Sequence, residues 1–433
     1  MGASQRFVSL DSWLAWLETL HPKKIDFSLN RIRAVLDALA LAAPPYRVIT
    51  IGGTNGKGSC VAILESVYLH AGYSVGAFTS PHLWRFNERI RLNGKEASDD
   101  ALVELFEIIE AARGPVTLSY FEYSAVAAML HFARCKVDVA LLEVGMGGRL
   151  DAVNAYDADA AAIVSIDIDH QEWLGQDRDA IGREKAGIIR KQRPVVIADS
   201  DPPASVLREI DAVGAHGYLI GRDFDGAASG EYFNYEATGQ PARLLPRPPF
   251  GGEAQVANAA ACVTVVDCLQ EFLPVDSNAL ASGLSRARIS GRIERRVVNG
   301  VEWIFDVAHN PAAASYFKRA WQDMPVVNTT LAVFAAMKDK NLADLLGPFV
   351  SGVDEWFLAP TESERSQTPE AVSEILGALA AGSVAQYQDV AAACADARSR
   401  AVPGDRVLVF GSFYTVGPAM AALELYFAPL SQG

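Results

Sequence analysis

The stretch Arg47-Val-Ile-Thr-Ile-Gly-Gly-Thr-Asn-Gly-Lys-Gly-Ser59 decides the fold. Val48 to Ile51 is a short apolar, β-branched run, which predicts a buried strand. It runs straight into Gly52, Gly53, Gly56 and Gly58, and the residues after Ser59 read as a helix. A strand, a glycine-rich turn and a helix N-terminus make a phosphate cradle. Glycines let backbone N–H groups converge on an anion, the helix end adds partial positive charge, and Lys57 adds a full one. The usual spacing is G-x-x-x-x-G-K-[ST]. Here the first glycine, Gly52, is one residue too near, and Gly58 separates Lys57 from Ser59. The alternative is a glycine turn with an incidental lysine, but all four features agree. The stretch therefore predicts binding of a nucleoside triphosphate.

Outward from the loop, strands and helices alternate. Two amphipathic helices are predicted before it, over residues 7–20 and 30–41. After it, a strand near Val75 ends in the polar turn Thr79-Ser-Pro-His-Leu83, followed by Arg85, Arg89 and Arg91. Those arginines suit an anionic ligand or, equally, a solvated basic face. Helices are predicted over 99–113 and 121–133. Val137 to Glu143 reads as a buried strand that ends on a carboxylate and opens into Gly145-Met-Gly-Gly-Arg-Leu-Asp151. Burying a carboxylate without a partner is costly, and P-loop ATPases hold Mg²⁺ with an acidic strand-end residue. The alternative for Glu143 is a core pair with an arginine. A further strand over 160–166 ends near Asp167, Asp169 and His170, and a helix over 177–189 follows. His170 is either a structural histidine or a ligand to a divalent ion. Repeated strands with polar ends predict an open, parallel-rich sheet with ligands at the carboxyl ends.

Residues 211–252 carry many glycines and prolines and read as short strands and loops without chemistry. A strong helix over 254–273 carries Asn258. A boundary is expected near Ala287–Arg292, dividing the chain into 1–288 and 289–433. The second part restarts the alternation as a smaller, Rossmann-like α/β domain, without a G-x-G-x-x-G turn. Its most polar strand end is Phe305-Asp-Val-Ala-His-Asn-Pro311, where Asn310-Pro311 could equally serve only to cap a helix.

Composition narrows the function classes. The chain has 433 residues, half of them hydrophobic, which allows two sizeable cores. Lys and Arg number 38 against 52 Asp and Glu, a net charge of −14 that speaks against a nucleic-acid partner. No apolar run is long enough to span a bilayer, and the N-terminus lacks signal-peptide character. The 5 cysteines are scattered without a C-x-x-C pair, which suits free thiols in a reducing cytoplasm.

Seven motifs in order carry a family resemblance: GTNGKGS (53–59), TSPHL (79–83), LLEVGMGGRLDAVN (141–154), DHQEWLG (169–175), REKAGII (183–189), SGRIE (290–294) and DVAHNP (306–311). The chain resembles folylpolyglutamate synthase/dihydrofolate synthase, the folate branch of the Mur-ligase superfamily. The resemblance implies a P-loop domain plus a C-terminal ligase domain in a monomer. It implies ATP-dependent activation of a carboxylate, on dihydropteroate or on a folate's glutamyl tail, as an acyl phosphate that the amine of L-glutamate attacks. It assigns the phosphates to Thr54, Asn55, Gly56, Lys57, Gly58 and Ser59. It places Asn258 near the adenine, Arg292 and Asp306 on the nucleotide from across the cleft, and His309 near the phosphates. Ser80 and Glu143 would be ligands of a first Mg²⁺, with His170 at a second. Lys185 matches a lysine that is often carbamylated, so Lys57, His170 and Lys185 form the implied catalytic set. Phe121 would stack on the pterin, Asp151 and Ala152 would meet the ring edge, and the loop His21–Phe27 would help close that pocket. Met146, Val153 and Ser290 depart from the family pattern, near the pterin contacts and the hinge.

Two rival readings remain open at this point. A cell-wall Mur ligase uses the same chemistry but usually carries an extra N-terminal domain, and only 51 residues precede Gly52 here. A non-catalytic nucleotide-binding regulator would have no need of Glu143, His170 and Lys185 together.

Overall fold

In the computed structural model, which describes residues 7–22, 28–252, 254–322, 324–325 and 327–426, two open sheets organise the chain. The first contains β1 (Arg47–Gly52), β2 (Val75–Phe78), β3 (Ile90–Leu92), β4 (Lys95–Glu96), β5 (Val139–Glu143), β6 (Ala160–Ile163), β7 (Pro194–Ile197) and β8 (His216–Leu219). Their spatial order is β4-β3-β2-β5-β1-β6-β7-β8, parallel from β2 to β8, with β3 and β4 added as an antiparallel edge. β1 is therefore central, and β5 and β6 flank it. Every residue of β5 and all but the first of β1 are buried, as expected for strands covered on both faces.

The glycine- and proline-rich region holds the short strands its sequence suggests, ordered into a sheet of their own. It forms β9 (Phe224–Ser229), β10 (Tyr232–Ala237) and β11 (Arg243–Pro246), an antiparallel three-stranded sheet packed on the helix Ala254–Cys268. That helix stops earlier than its periodicity predicts. The predicted strand 160–166 also ends early, at Ile163, because the next residues turn to hold the phosphate loop.

The second sheet contains β12 (Glu294–Val298), β13 (Val301–Asp306), β14 (Thr330–Phe334), β15 (Glu355–Leu358), β16 (Ser383–Gln386) and β17 (Arg406–Phe410). Its order is β12-β13-β17-β14-β15-β16, with only β12 antiparallel. Separate apolar clusters fill its two faces, one around Trp303, Phe305 and Phe357, the other around Phe334, Trp356 and Phe410. The N-terminal helices Leu10–Leu20 and Asn30–Ala38 pack on the helices Asp99–Arg113 and Tyr120–Cys135, with Trp13 fully buried. Ser9 caps the first of them, its hydroxyl accepting from Ser12 N. The five cysteines are free thiols, and no helix of the described residues is long and apolar enough to cross a membrane.

Candidate active site

The carboxyl ends of the two sheets converge on one cavity of about 100 Å³. Its walls come from the loop after β1 (Gly53–Lys57), the turn after β2 (Ser80), the end of β5 (Glu143), the segment after β6 (Asp169, His170) and the buried Lys185. Across from them stand Arg292, His309 and Phe413, from the turns before β12, after β13 and after β17.

The phosphate loop is held from behind. Gly53 has φ of +146°, and a Cβ there would lie 3.2 Å from the backbone nitrogens of both Val164 and Ser165, so only glycine fits. Thr54 N donates to Ser165 O at 2.7 Å, and Asn55 N donates to Ser165 Oγ at 2.9 Å. Gly56, at φ of +87°, caps the helix Lys57–His70. Lys57 Nζ donates to Gly53 O and Thr54 O, each at 3.1 Å, which holds the ammonium in the mouth of the loop. Burial pushes its pKa down, opposed by the charge of Glu143.

Beside the loop, Ser80 N donates to Glu143 Oε2 at 3.1 Å. Glu143 is buried, and desolvation raises its pKa against the pull of Lys57. A Cβ on Gly58 would stand 3.8 Å from the nearer Glu143 oxygen, so the unsubstituted backbone leaves open space in front of the carboxylate. One carboxylate, one hydroxyl and substrate phosphates are the donor set Mg²⁺ prefers. Among the described residues no group of three or more His, Cys, Asp or Glu could hold a metal by itself. His170 does not join Glu143; its Nε2 lies 3.8 Å from Asp169 Oδ2, and burial lowers its pKa. Lys185 is 3% exposed, has no ion pair among the described residues, and is pushed down to about 7 by burial and then by the charge of Lys57. Burial thus favours its uncharged amine form over the ammonium.

The second sheet reaches the cavity through Asp169. Lys340 Nζ contacts its Oδ1 at 3.0 Å, and His309 Nε2 lies 3.8 Å from its Oδ2. Burial alone would raise the Asp169 pKa, but His309, His170 and Lys340 together hold it well below the carboxylate range. Asn310 Nδ2 donates to Asn55 Oδ1 at 3.0 Å, while its own Oδ1 caps the following helix through Ala313 N. The capping reading of Asn310 is therefore right and incomplete. Arg292 lies over the Phe413 ring, 5.5 Å from its centroid. Asp306 is behind the wall, where it accepts from Ile293 N and Ala308 N and braces the turns carrying Arg292 and His309. Burial raises its pKa to about 6.

Other expected residues stand outside the cavity. Asn258 backs onto the loop: a Cβ on Gly56 would come 3.0 Å from its Nδ2. Gly58 and Ser59 lie in the first helical turn, with the Ser59 hydroxyl buried and without a hydrogen-bond partner among the described residues. Phe121 and Asp151 brace the Gly145–Gly147 turn of the cavity wall. A Cβ on Gly145 would strike Phe121 Cζ at 2.6 Å, and Asp151 accepts from Met146 N at 2.9 Å. Asp151 is raised to about 7 by burial, and Ala152 beside it is buried. Part of the loop His21–Phe27 lies outside the described residues.

The adjoining arginines take three separate roles. Arg91 forms a buried pair with Glu65 at 2.8 Å, and Arg85 pairs with Asp99 at 2.9 Å near the surface. Arg89 has no carboxylate partner among the described residues. Asp169 as a hub, Lys340 and Asn310 were not expected as site residues. Lys340 comes six residues after the end of β14, behind the equally polar Lys338 and Asp339, so no sequence signal singles it out.

Residues 51–266 match the Mur ligase middle domain, and residues 291–413 match the Mur ligase glutamate ligase domain. The chain is 40% identical to the dihydrofolate synthase/folylpolyglutamate synthase of Escherichia coli K12, over 96% of each chain. This chain belongs to the folylpolyglutamate synthase/dihydrofolate synthase family. The structure of Escherichia coli FolC in complex with DHPP and ADP superposes with a TM-score of 0.91 at 38% identity, covering 98% of this chain and 99% of that one. A bifunctional folylpolyglutamate synthase/dihydrofolate synthase with Mn, AMPPNP and L-glutamate bound superposes at 0.89 and 37% identity, covering 98% of this chain and all of that one. This family member is an ATP-dependent carboxylate–amine ligase. The match runs the length of the chain, which removes the cell-wall ligase and the non-catalytic regulator as readings.

Proposed function

We propose that this ligase adds L-glutamate both to dihydropteroate and to the γ-carboxylate of a reduced folate, working as a cytoplasmic monomer. The observation that carries the reading is the opposition of Lys57 and Glu143–Ser80 on one side of a cavity to Arg292 and His309 on the other. A carboxylate is a poor electrophile until one oxygen becomes a leaving group. The acceptor carboxylate oxygen attacks the γ-phosphorus, the bond to the β-bridging oxygen breaks, and ADP leaves. The amine of L-glutamate then attacks the acyl carbon, loses a proton and expels phosphate. Such transfers need positioning and charge neutralisation more than covalent help.

In this reading backbone N–H groups from Thr54 to Ser59 cradle the phosphates, and Lys57 neutralises the transferring group. Ser80 and Glu143 would hold Mg²⁺, whose chemistry there is to neutralise phosphate oxygens, with His170 serving a second ion. Arg292 and His309 reach the nucleotide across the cleft, with Asp306 fixing their turns, and Asn258 sits towards the adenine. Lys185, buried and with its ammonium form disfavoured, has the character of an amine that combines with CO₂, and its carbamate would add a second carboxylate beside Asp169 and His170. Phe121, Asp151 and Ala152 flank the pterin pocket. The change of sheet between Arg286 and Glu294 supports domains of 1–288 and 289–433.

The test is phosphate release from ATP with Mg²⁺ and L-glutamate. Release that requires dihydropteroate or a reduced folate is expected. Release indifferent to every acceptor would end the reading.

A further inference from the structure

A second cavity of about 550 Å³ opens beside the metal corner. It is walled by Leu14 of the N-terminal helix, His82, Arg89, Tyr120 and, from the second sheet's side, Tyr414. Arg89 is the unusual member. It is only 9% exposed, yet forms no ion pair among the described residues, and none of the carboxylates on the cavity wall takes it. Its Nε donates to His82 Nδ1 at 2.8 Å. Its guanidinium lies over the rings of Tyr120 and Phe86, at 5.5 and 5.8 Å from their centroids. Those contacts hold the plane of the fork and leave the terminal N–H groups without acceptors among the described residues.

A buried cation without a counter-ion is costly, whereas a fixed guanidinium fork matches a carboxylate in bidentate fashion. His82, which holds Arg89, is two residues from Ser80, a span of at most about 7 Å along the chain. The turn that carries Ser80 into the first cavity thus also carries the residue that holds Arg89 into the second. We propose that Arg89, positioned by His82, binds the free α-carboxylate of a glutamyl unit. The same chemistry is offered by the tail of a glutamylated folate and by the incoming L-glutamate. The proposal rests on the ligase reading above and names a subsite within it.

The test is steady-state kinetics of wild type, Arg89→Gln and Arg89→Lys with three variable substrates: dihydropteroate, tetrahydrofolate and L-glutamate. Dihydropteroate has no glutamyl unit. If the site holds the acceptor's tail, Arg89→Gln raises KM for tetrahydrofolate about tenfold or more, and KM for dihydropteroate stays within about twofold. If it holds the incoming amino acid, KM for L-glutamate rises by that factor with either acceptor. Arg89→Lys should recover part of either loss. The substrate-side control covers a Gln variant that fails to fold. Wild type should discriminate by a similar factor against a folate with its α-carboxylate amidated, or against γ-aminobutyrate in place of L-glutamate. KM values that do not move, a loss confined to kcat, or a wild type indifferent to both analogues overturns the proposal while the ligase reading stands. Wild type that ligates neither acceptor overturns both.

Discussion

Replacing Glu65 with glutamine should destabilise the first sheet and disable the site, although Glu65 touches no substrate. Its carboxylate accepts from Arg91 Nε at 3.1 Å and from Nη2 at 2.8 Å, with side-chain exposures of 10% for Arg91 and 3% for Glu65. Removing one partner of a buried pair costs about 3–5 kcal/mol, because the other charge stays behind uncompensated. Glutamine keeps one acceptor oxygen, which puts the expected loss near 3 kcal/mol. For a unit of this size that is a fall in midpoint of roughly 6–12 °C. The functional consequence follows from what else Arg91 holds. Its Nη1 donates to Thr79 Oγ1 at 3.0 Å and to Glu88 O at 2.9 Å, on either side of the turn carrying Ser80. Loss of such support for a metal ligand typically costs about 10–100-fold. Thermal scanning and kcat/KM for Mg²⁺·ATP measure the two effects. The double variant Glu65→Leu/Arg91→Met separates them: stability should return, and activity should not. A Glu65→Gln protein that melts within about 1 °C of wild type and turns over normally would refute the reasoning.

Three further outcomes follow from the site. Lys57→Ala should lower kcat by about 10²–10³-fold or more with an unchanged melting profile, since it removes a charge aimed at the transferring phosphate; near wild-type turnover would dismiss the cradle. Lys185 has its pKa lowered to about 7, so its reactive, uncharged form gains population as pH rises through that value. With bicarbonate, activity should therefore climb across pH 6 to 8 and intact mass should show one bound CO₂, whereas CO₂-free buffer should give lower activity without that climb; a bicarbonate-independent profile and an unmodified mass would exclude carbamylation. Asp169→Asn should uncouple the two sheets, because Lys340 and His309 lose their shared anion, and should lower kcat more than it raises KM for ATP. A change confined to KM would show that the hub only binds nucleotide.

The parts of the fold legible in the sequence were those set by neighbours along the chain. β1, the loop and the helix Lys57–His70 follow from a β-branched run, glycines and a lysine within thirteen residues. Glu143 was legible for the same reason, as a carboxylate closing an apolar strand. The antiparallel edge strands were not. β12 reads Glu-Arg-Arg-Val-Val, and the β3–β4 hairpin carries Arg91, Lys95 and Glu96, the charged composition that protects a sheet edge and hides its strand character. β10 alternates exposed and buried residues, a pattern obscured by the glycines and prolines around it. The fates of Arg85, Arg89 and Arg91 were illegible for a different reason. Only packing decides that Glu65, distant in sequence, reaches one of them while no carboxylate among the described residues pairs with another. Asn310 and Lys340 likewise acquire meaning only when the second sheet is brought against the first.

The central claim is that the chain activates a carboxylate by phosphorylating it, and one isotope measurement tests this directly. Dihydropteroate labelled with ¹⁸O in its carboxylate, turned over with ATP, Mg²⁺ and L-glutamate, should deliver one labelled oxygen to each phosphate released. Phosphate free of label, formed at the same rate as the amide, would contradict the acyl-phosphate account.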